Sequence, residues 1–86
     1  MSTKTKKQKS WYVYIIEACD GSLYTGITTD IERRFKQHLS GRGARYFRKS
    51  APKEIVYRQK LLNRSEASKR EAQIKKMSKE QKLSLI

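Results

Sequence analysis

Two β-favouring apolar runs, residues 11–17 and 22–27, flank Cys19-Asp20-Gly21 near the start of the chain, a layout that predicts an antiparallel hairpin. Its register has two solutions, because side chains alternate faces along a strand and a one-residue slip inverts all of them. A two-residue loop at Asp20-Gly21 pairs Cys19 with Ser22 and sends Tyr14 and Tyr24 to opposite faces. A three-residue loop with Gly21 in the left-handed conformation sets Tyr14 opposite Gly26 and Tyr24 opposite Ile16. Both phenols then share a face, and Gly26 leaves room beside Tyr14.

After the hairpin the periodicity becomes helical. Thr29 as N-cap, with Glu32 completing a capping box, starts a helix that runs to Leu39. Ile31, Phe35 and Leu39 form its buried stripe, Arg34 and His38 lie along one edge of that stripe, and Arg33, Lys36 and Gln37 face outward. Residues 40–43 break the helix, and residues 44–50 form a short helical turn before Pro52. A third strand covers residues 54–61, with Ile55, Tyr57 and Leu61 on one face and Val56, Arg58 and Lys60 on the other. Asn63 caps a helix over residues 64–77, with Glu66 at the capping-box position, and Ser78 with Gln81 starts a last short helix over residues 79–85. These elements predict an α/β (α+β) fold, a small three-stranded antiparallel sheet flanked by helices in the order β-β-α-(short α)-β-α-α.

Charge narrows the partners. The chain has 86 residues, room for one domain over residues 11–86, and carries +13 at pH 7 from 21 Lys and Arg against 8 Asp and Glu. Polyanions, and nucleic acid above all, are the natural partners of so basic a body. Residues 1–10, with Lys4, Lys6, Lys7 and Lys9 and no apolar residue after Met1, predict a disordered basic arm. Arg42, Arg45, Arg48 and Lys49 surround Tyr46 and Phe47, a mixture that suits phosphate contact and base stacking, although a small core also needs one of these rings to close it. A single Cys19, no run resembling a signal sequence and no membrane-spanning stretch predict a cytoplasmic protein with no membrane partner, monomeric by default.

In the 64–77 helix, Ala67 and Ile74 define the inward face and Glu71 falls between them, while Glu66 and Arg70 form an exposed pair. A carboxylate among small and apolar neighbours must be paired, protonated or bound to a metal. Arg70 and Lys75 are the candidate structural partners.

Tyr12-Val13-Tyr14 and Tyr24-Thr25-Gly26, followed by Arg34, His38 and Glu71 in that order, resemble the GIY-YIG nuclease superfamily, and in particular its small stand-alone bacterial members. The likeness spans residues 11–77. Two features depart from the family pattern: Tyr12 stands where the first triplet has glycine, and no Asn follows Asn63, where many members place one after the glutamate helix. The resemblance implies a metal-dependent endonuclease that cleaves one strand of DNA, or else RNA, per event, and it requires the hairpin register that unites the phenols. In that scheme Glu71 anchors Mg²⁺ or another divalent hard cation and Arg34 forks onto phosphate oxygens. Tyr14, its pKa lowered by the metal and Arg34, positions or deprotonates the attacking water, Tyr24 orients water or phosphate, and His38 passes on the proton. Gly26, Arg42, Arg45, Arg48 and Lys49 complete the substrate surface. Two other classes fit the charge: a DNA- or RNA-binding module whose site residues are inert, and a ribosome-associated structural protein.

Overall fold

The computed structural model describes residues 10–86, so that the predicted basic arm, Ser10 apart, lies outside the described residues. Along the chain run β1 (Trp11–Ala18), β2 (Leu23–Thr28), α1 (Ile31–Leu39), a 3-10 turn (Arg45–Arg48), β3 (Pro52–Leu61), α2 (Arg64–Lys75) and α3 (Lys79–Leu83). Antiparallel pairing gives the sheet order β2-β1-β3. β1 takes the centre because it is apolar on both faces, and Val13, Tyr14, Ile15 and Ile16 are all at most 1% exposed.

The hairpin adopts the three-residue loop. Gly21 has φ +87°, its N–H donates to the Ala18 carbonyl at 2.9 Å, and the Ala18 N–H donates to the Ser22 carbonyl at 2.9 Å. An L-residue is strained in that left-handed geometry, so glycine fixes the turn and the turn fixes the register. Tyr14 stands opposite Gly26 and Tyr24 opposite Ile16, which puts both phenols on one face.

That face is covered by α1 and the 3-10 turn, whose Ile31 and Phe47 close a core with Tyr14, Ile16 and Ala18. On the other face Ile74 of α2 packs on Val13 and Ile15, with Met77 and Leu85 from the segments flanking α3 at the margin. Strict alternation in the third strand fails. Ile15 pairs with Tyr57 but Ile16 pairs with Ile55, so Val56 is an inserted bulge residue. In consequence Ile55 joins the α1 core, while Val56 and Tyr57 both join the α2 core.

Three local expectations change. Asp30, not Thr29, caps α1: its Oδ1 accepts from the Arg33 N–H at 3.0 Å, and its own N–H donates to Thr28 Oγ1 at 3.1 Å. On α1 the buried stripe is Ile31, Phe35 and His38, with Leu39 55% exposed, because residues 43–44 fold back beneath the helix and cover the histidine instead. Glu66 pairs with Lys69 at 3.6 Å rather than with Arg70, which is drawn to Gln59 Oε1 on β3 at 2.9 Å. Asn63 and Ser78 cap α2 and α3 as expected, Ser78 within a full capping box.

Thr25 faces the α2 side opposite Ile15, and its Oγ1 is buried without a hydrogen-bond partner among the described residues. An orphaned hydroxyl costs about 1–3 kcal/mol of desolvation. Thr25→Val, which keeps the shape and removes that group, is therefore expected to raise stability by roughly 1 kcal/mol, read as a higher midpoint in chemical denaturation.

Candidate active site

Tyr14 projects from the middle of β1 and is 1% exposed. Its ring lies over the bare Cα of Gly26, where a Cβ would come within 2.6 Å of the Tyr14 hydroxyl and 3.1 Å of the Tyr24 ring. The Tyr14 Oη is 3.0 Å from His38 Nε2. His38 is 2% exposed, and its Nδ1 accepts from the Ala44 N–H at 3.1 Å. With Nδ1 an acceptor, the neutral ring carries its proton on Nε2 and donates it to Tyr14. Gly43 lets the loop come this close, since a Cβ there would sit 2.7 Å from His38 Cα.

Arg34 lies near enough for its charge to act on the same hydroxyl, and its Nη1 donates to Gln37 Oε1 at 2.8 Å. Gln37 therefore faces the site and not the solvent. Burial holds the His38 imidazolium down to about 4, the charge of Arg34 adding to the effect, so the ring is neutral at neutral pH. His38 is accordingly a buried hydrogen-bond donor, and not the titrating rim residue the spacing suggested.

For Tyr14, burial dominates too and pushes the phenol up to about 12, with Tyr24 and, least, Glu71 adding to the rise while Arg34 opposes it. Arg34 by itself does not lower the phenol, because desolvation outweighs it, and with the protein groups alone Tyr14 is protonated at neutral pH. Tyr24 is half-buried, with its ring centroid 6.3 Å from that of Tyr14, 5.4 Å from His38 and 5.3 Å from Tyr46.

Glu71 is half-buried on α2, and its Oε2 is 3.2 Å from Lys75 Nζ, one of the two ion-pair partners expected from spacing. No cluster of three or more His, Cys, Asp or Glu side chains occurs among the described residues. Arg42, Arg45, Arg48 and Lys49 are all exposed, and none is in an ion pair among the described residues. The structure therefore brings Tyr14, Tyr24, Gly26, Arg34 and His38 into direct association, sets Glu71 within electrostatic reach, and leaves the four loop cations on the rim. Sequence reasoning missed Gln37, Gly43 and Ala44; the second glycine of the Gly41-Arg42-Gly43 break was the one signal of a close approach.

Fold and site together define a small basic α+β domain of the nuclease type, built around paired tyrosines. Residues 10–84 match the GIY-YIG catalytic domain, and the chain belongs to the GIY-YIG family, whose members are nucleases acting on nucleic acid. It is 51% identical over 78 residues to a UPF0213 protein of Desulfotalea psychrophila, covering 90% of this chain and 71% of that one. With a UPF0213 protein of Staphylococcus saprophyticus it shares 47% identity over 75 residues, 87% of this chain and 92% of the relative. Among solved structures, the solution structure of a UPF0213 protein from Bacillus halodurans is similar at 43% identity and a TM-score of 0.56, over 88% of this chain and 81% of that one. The solution structure of a protein from E. faecalis gives 41% identity and a TM-score of 0.61, over 91% of this chain and 83% of that one.

Two outcomes test the geometry. Gly26→Ala forces the Tyr14 ring off its bond to His38, so the melting temperature is expected to fall by several degrees, with new chemical shifts for the His38 ring in NMR spectra. For His38, a folded pKa of about 4 against an ordinary 6.5 means that the unfolded chain takes up the proton first on acidification. Its contribution to stability is full above pH 6.5, is lost as the pH falls towards 4, and adds no further loss below that. Melting temperatures measured from pH 7 to 4 are expected to decline less steeply for His38→Gln than for the unsubstituted protein.

Proposed function

We propose that this protein is a metal-dependent endonuclease that hydrolyses phosphodiester bonds of DNA, ahead of RNA, one strand per event. The reading rests on membership of the family together with one observation, the gathering of Tyr14, His38 and the half-buried Tyr24 on one face with the charge of Arg34 acting at the Tyr14 hydroxyl. In the reaction a water oxygen attacks phosphorus, the P–O3′ bond breaks, and the 3′ oxygen leaves with its electron pair and takes a proton.

Arg34 supplies a permanent charge whose fork matches two phosphoryl oxygens. Its direction is set from behind by Gln37, whose Oε1 accepts from Nη1. With His38 donating to the Tyr14 hydroxyl and burial holding its proton in place, Tyr14 acts as a positioning residue more than as a base. Tyr24 is the phenol that reaches solvent, so it is the one to meet the water or the phosphate. The rim cations Arg42, Arg45, Arg48 and Lys49 hold the strand.

The family generally uses divalent cations, and Glu71 offers one carboxylate. A lone carboxylate fits a hard cation that keeps several waters and shares the substrate phosphate; it does not fit a preformed cage. When bound there, a divalent ion supplies positive charge to the phosphoryl group as it becomes more anionic. Glu71 must then exchange Lys75, 56% exposed at its side chain, for the cation.

A competing reading, a binding module with an inert site, is favoured by that same Lys75 pair. Glu71→Gln separates the two. An ion pair this exposed is worth at most about 1 kcal/mol, so the melting temperature and nucleic-acid affinity should stay near those of the unsubstituted protein. Nicking of supercoiled DNA with Mg²⁺ is expected to fall by on the order of 100-fold or more, and likewise for Arg34→Ala. Undiminished nicking by Glu71→Gln would remove the metal role, and no nicking by the unsubstituted protein on any DNA or RNA would leave the binding module.

A further inference from the structure

A cavity of about 430 Å³ borders the tyrosine cluster, lined by Asp20 and Ser22 of the hairpin turn and by Arg45, Tyr46 and Lys49. Its two walls are tied together. The Asp20 N–H donates to Ser50 Oγ at 2.9 Å, and the Cys19 N–H donates to the Ala51 carbonyl at 2.9 Å. Within the turn, Asp20 Oδ1 accepts from both the N–H and the hydroxyl of Ser22, at 3.0 and 2.6 Å. The cavity is thus held open by its own hydrogen bonds.

Tyr46 and Phe47 divide two roles that the sequence left together. Phe47 is 9% exposed and closes the core, which removes the structural need for a second buried ring, while Tyr46 remains 41% exposed. It is nonetheless fixed in place, with ring centroids 5.3 Å from Tyr24 and 5.4 Å from Phe47. A pre-set aromatic ring between two cations, one ring away from Tyr24, has the makings of a stacking platform. The carboxylate of Asp20 on the same wall disfavours a bare anion and is an acceptor for the amino groups of a base.

We propose that this cavity holds one unpaired nucleobase of the substrate strand, stacked on Tyr46, with Arg45 and Lys49 on the flanking phosphates. This rests on the reading of nucleic acid as substrate. It implies that a strand with an unstacked base is preferred over continuous duplex, whose bases are already stacked on one another.

The test uses the full chain in EDTA, where binding is read without cleavage. The probes are a single-stranded DNA oligonucleotide carrying one 2-aminopurine, its RNA counterpart and the matching DNA duplex. Fluorescence of the single-stranded probes is expected to be quenched on binding, and the duplex to bind more weakly. Tyr46→Phe should keep both affinity and quenching. Tyr46→Leu, which still covers Phe47 and is checked for folding by circular dichroism, should raise Kd about tenfold and abolish the quench. Its salt dependence should match that of the unsubstituted protein, whereas Arg45→Ala and Lys49→Ala should each reduce the slope by about 0.7. Absence of quenching with the unsubstituted protein, or a Tyr46→Leu affinity equal to it, overturns the proposal. Because catalysis is not measured, loss of the nuclease reading with a Tyr46-dependent quench leaves the subsite standing. Robust nicking without that quench removes the subsite alone.

Discussion

A phenol sealed into a protein core must find hydrogen-bond partners or cost about 1–3 kcal/mol, a large share of the stability of so short a chain. Tyr14 is such a group, and much of the α1 face is built to satisfy it. Gly21 sets the register that brings Gly26 opposite it; Gly26 gives up its side chain to make room; His38 turns inward from α1 to donate to it. Gly43 and Ala44 then close over His38, and the Ala44 N–H assigns the proton of the ring. Five residues spread over three segments are thus coupled to one hydroxyl, so a change at any of them is felt at the others.

The same burial decides the electrostatics. In a protein carrying +13, Arg34 alone would draw Tyr14 towards the phenolate and repel a proton from His38. Desolvation acts with Arg34 on the histidine and against it on the tyrosine, and both groups end up neutral. Two neutral groups within reach of the guanidinium leave its charge undiminished. A carboxylate in their place would have neutralised Arg34 before any phosphate arrived. Glu71 is kept apart on α2, paired with Lys75, where its charge is felt at Tyr14 only as the smallest influence on that phenol.

Much of this was legible in the residues. The hairpin, the order of elements, the caps of α2 and α3 and the gathering of Tyr14, Tyr24, Gly26 and Arg34 follow from turn chemistry, periodicity and the likeness of the two triplets to the GIY-YIG pattern. What escaped has a common cause: contacts made by segments far away in sequence. Spacing by four favours Leu39 as the third residue of the α1 stripe, and only the return of residues 43–44 beneath the helix selects His38 instead. The bulge at Val56 leaves no mark in the alternation of β3, because Ile55, Val56 and Tyr57 are all apolar and suit either face. Gln37 looked solvent-facing until Arg34 was seen to need an anchor.

The difference in exposure between the tyrosines carries the argument about roles one step further. Tyr14 and Tyr24 look equivalent in sequence, each within a triplet on a paired strand. Their neighbours in the sheet separate them. β1 is the central strand and carries Tyr14 beneath α1, while β2 is an edge strand and leaves Tyr24 at the margin, between His38 on one side and Tyr46 on the other. Under the proposed function, a residue that meets an incoming phosphate needs solvent access and freedom to move; one that anchors the buried end of the site needs the opposite. Strand order supplies both conditions from two chemically identical side chains. The ring of Tyr24 also joins the buried cluster to Tyr46, so a buried interior and an exposed rim meet at that one phenol.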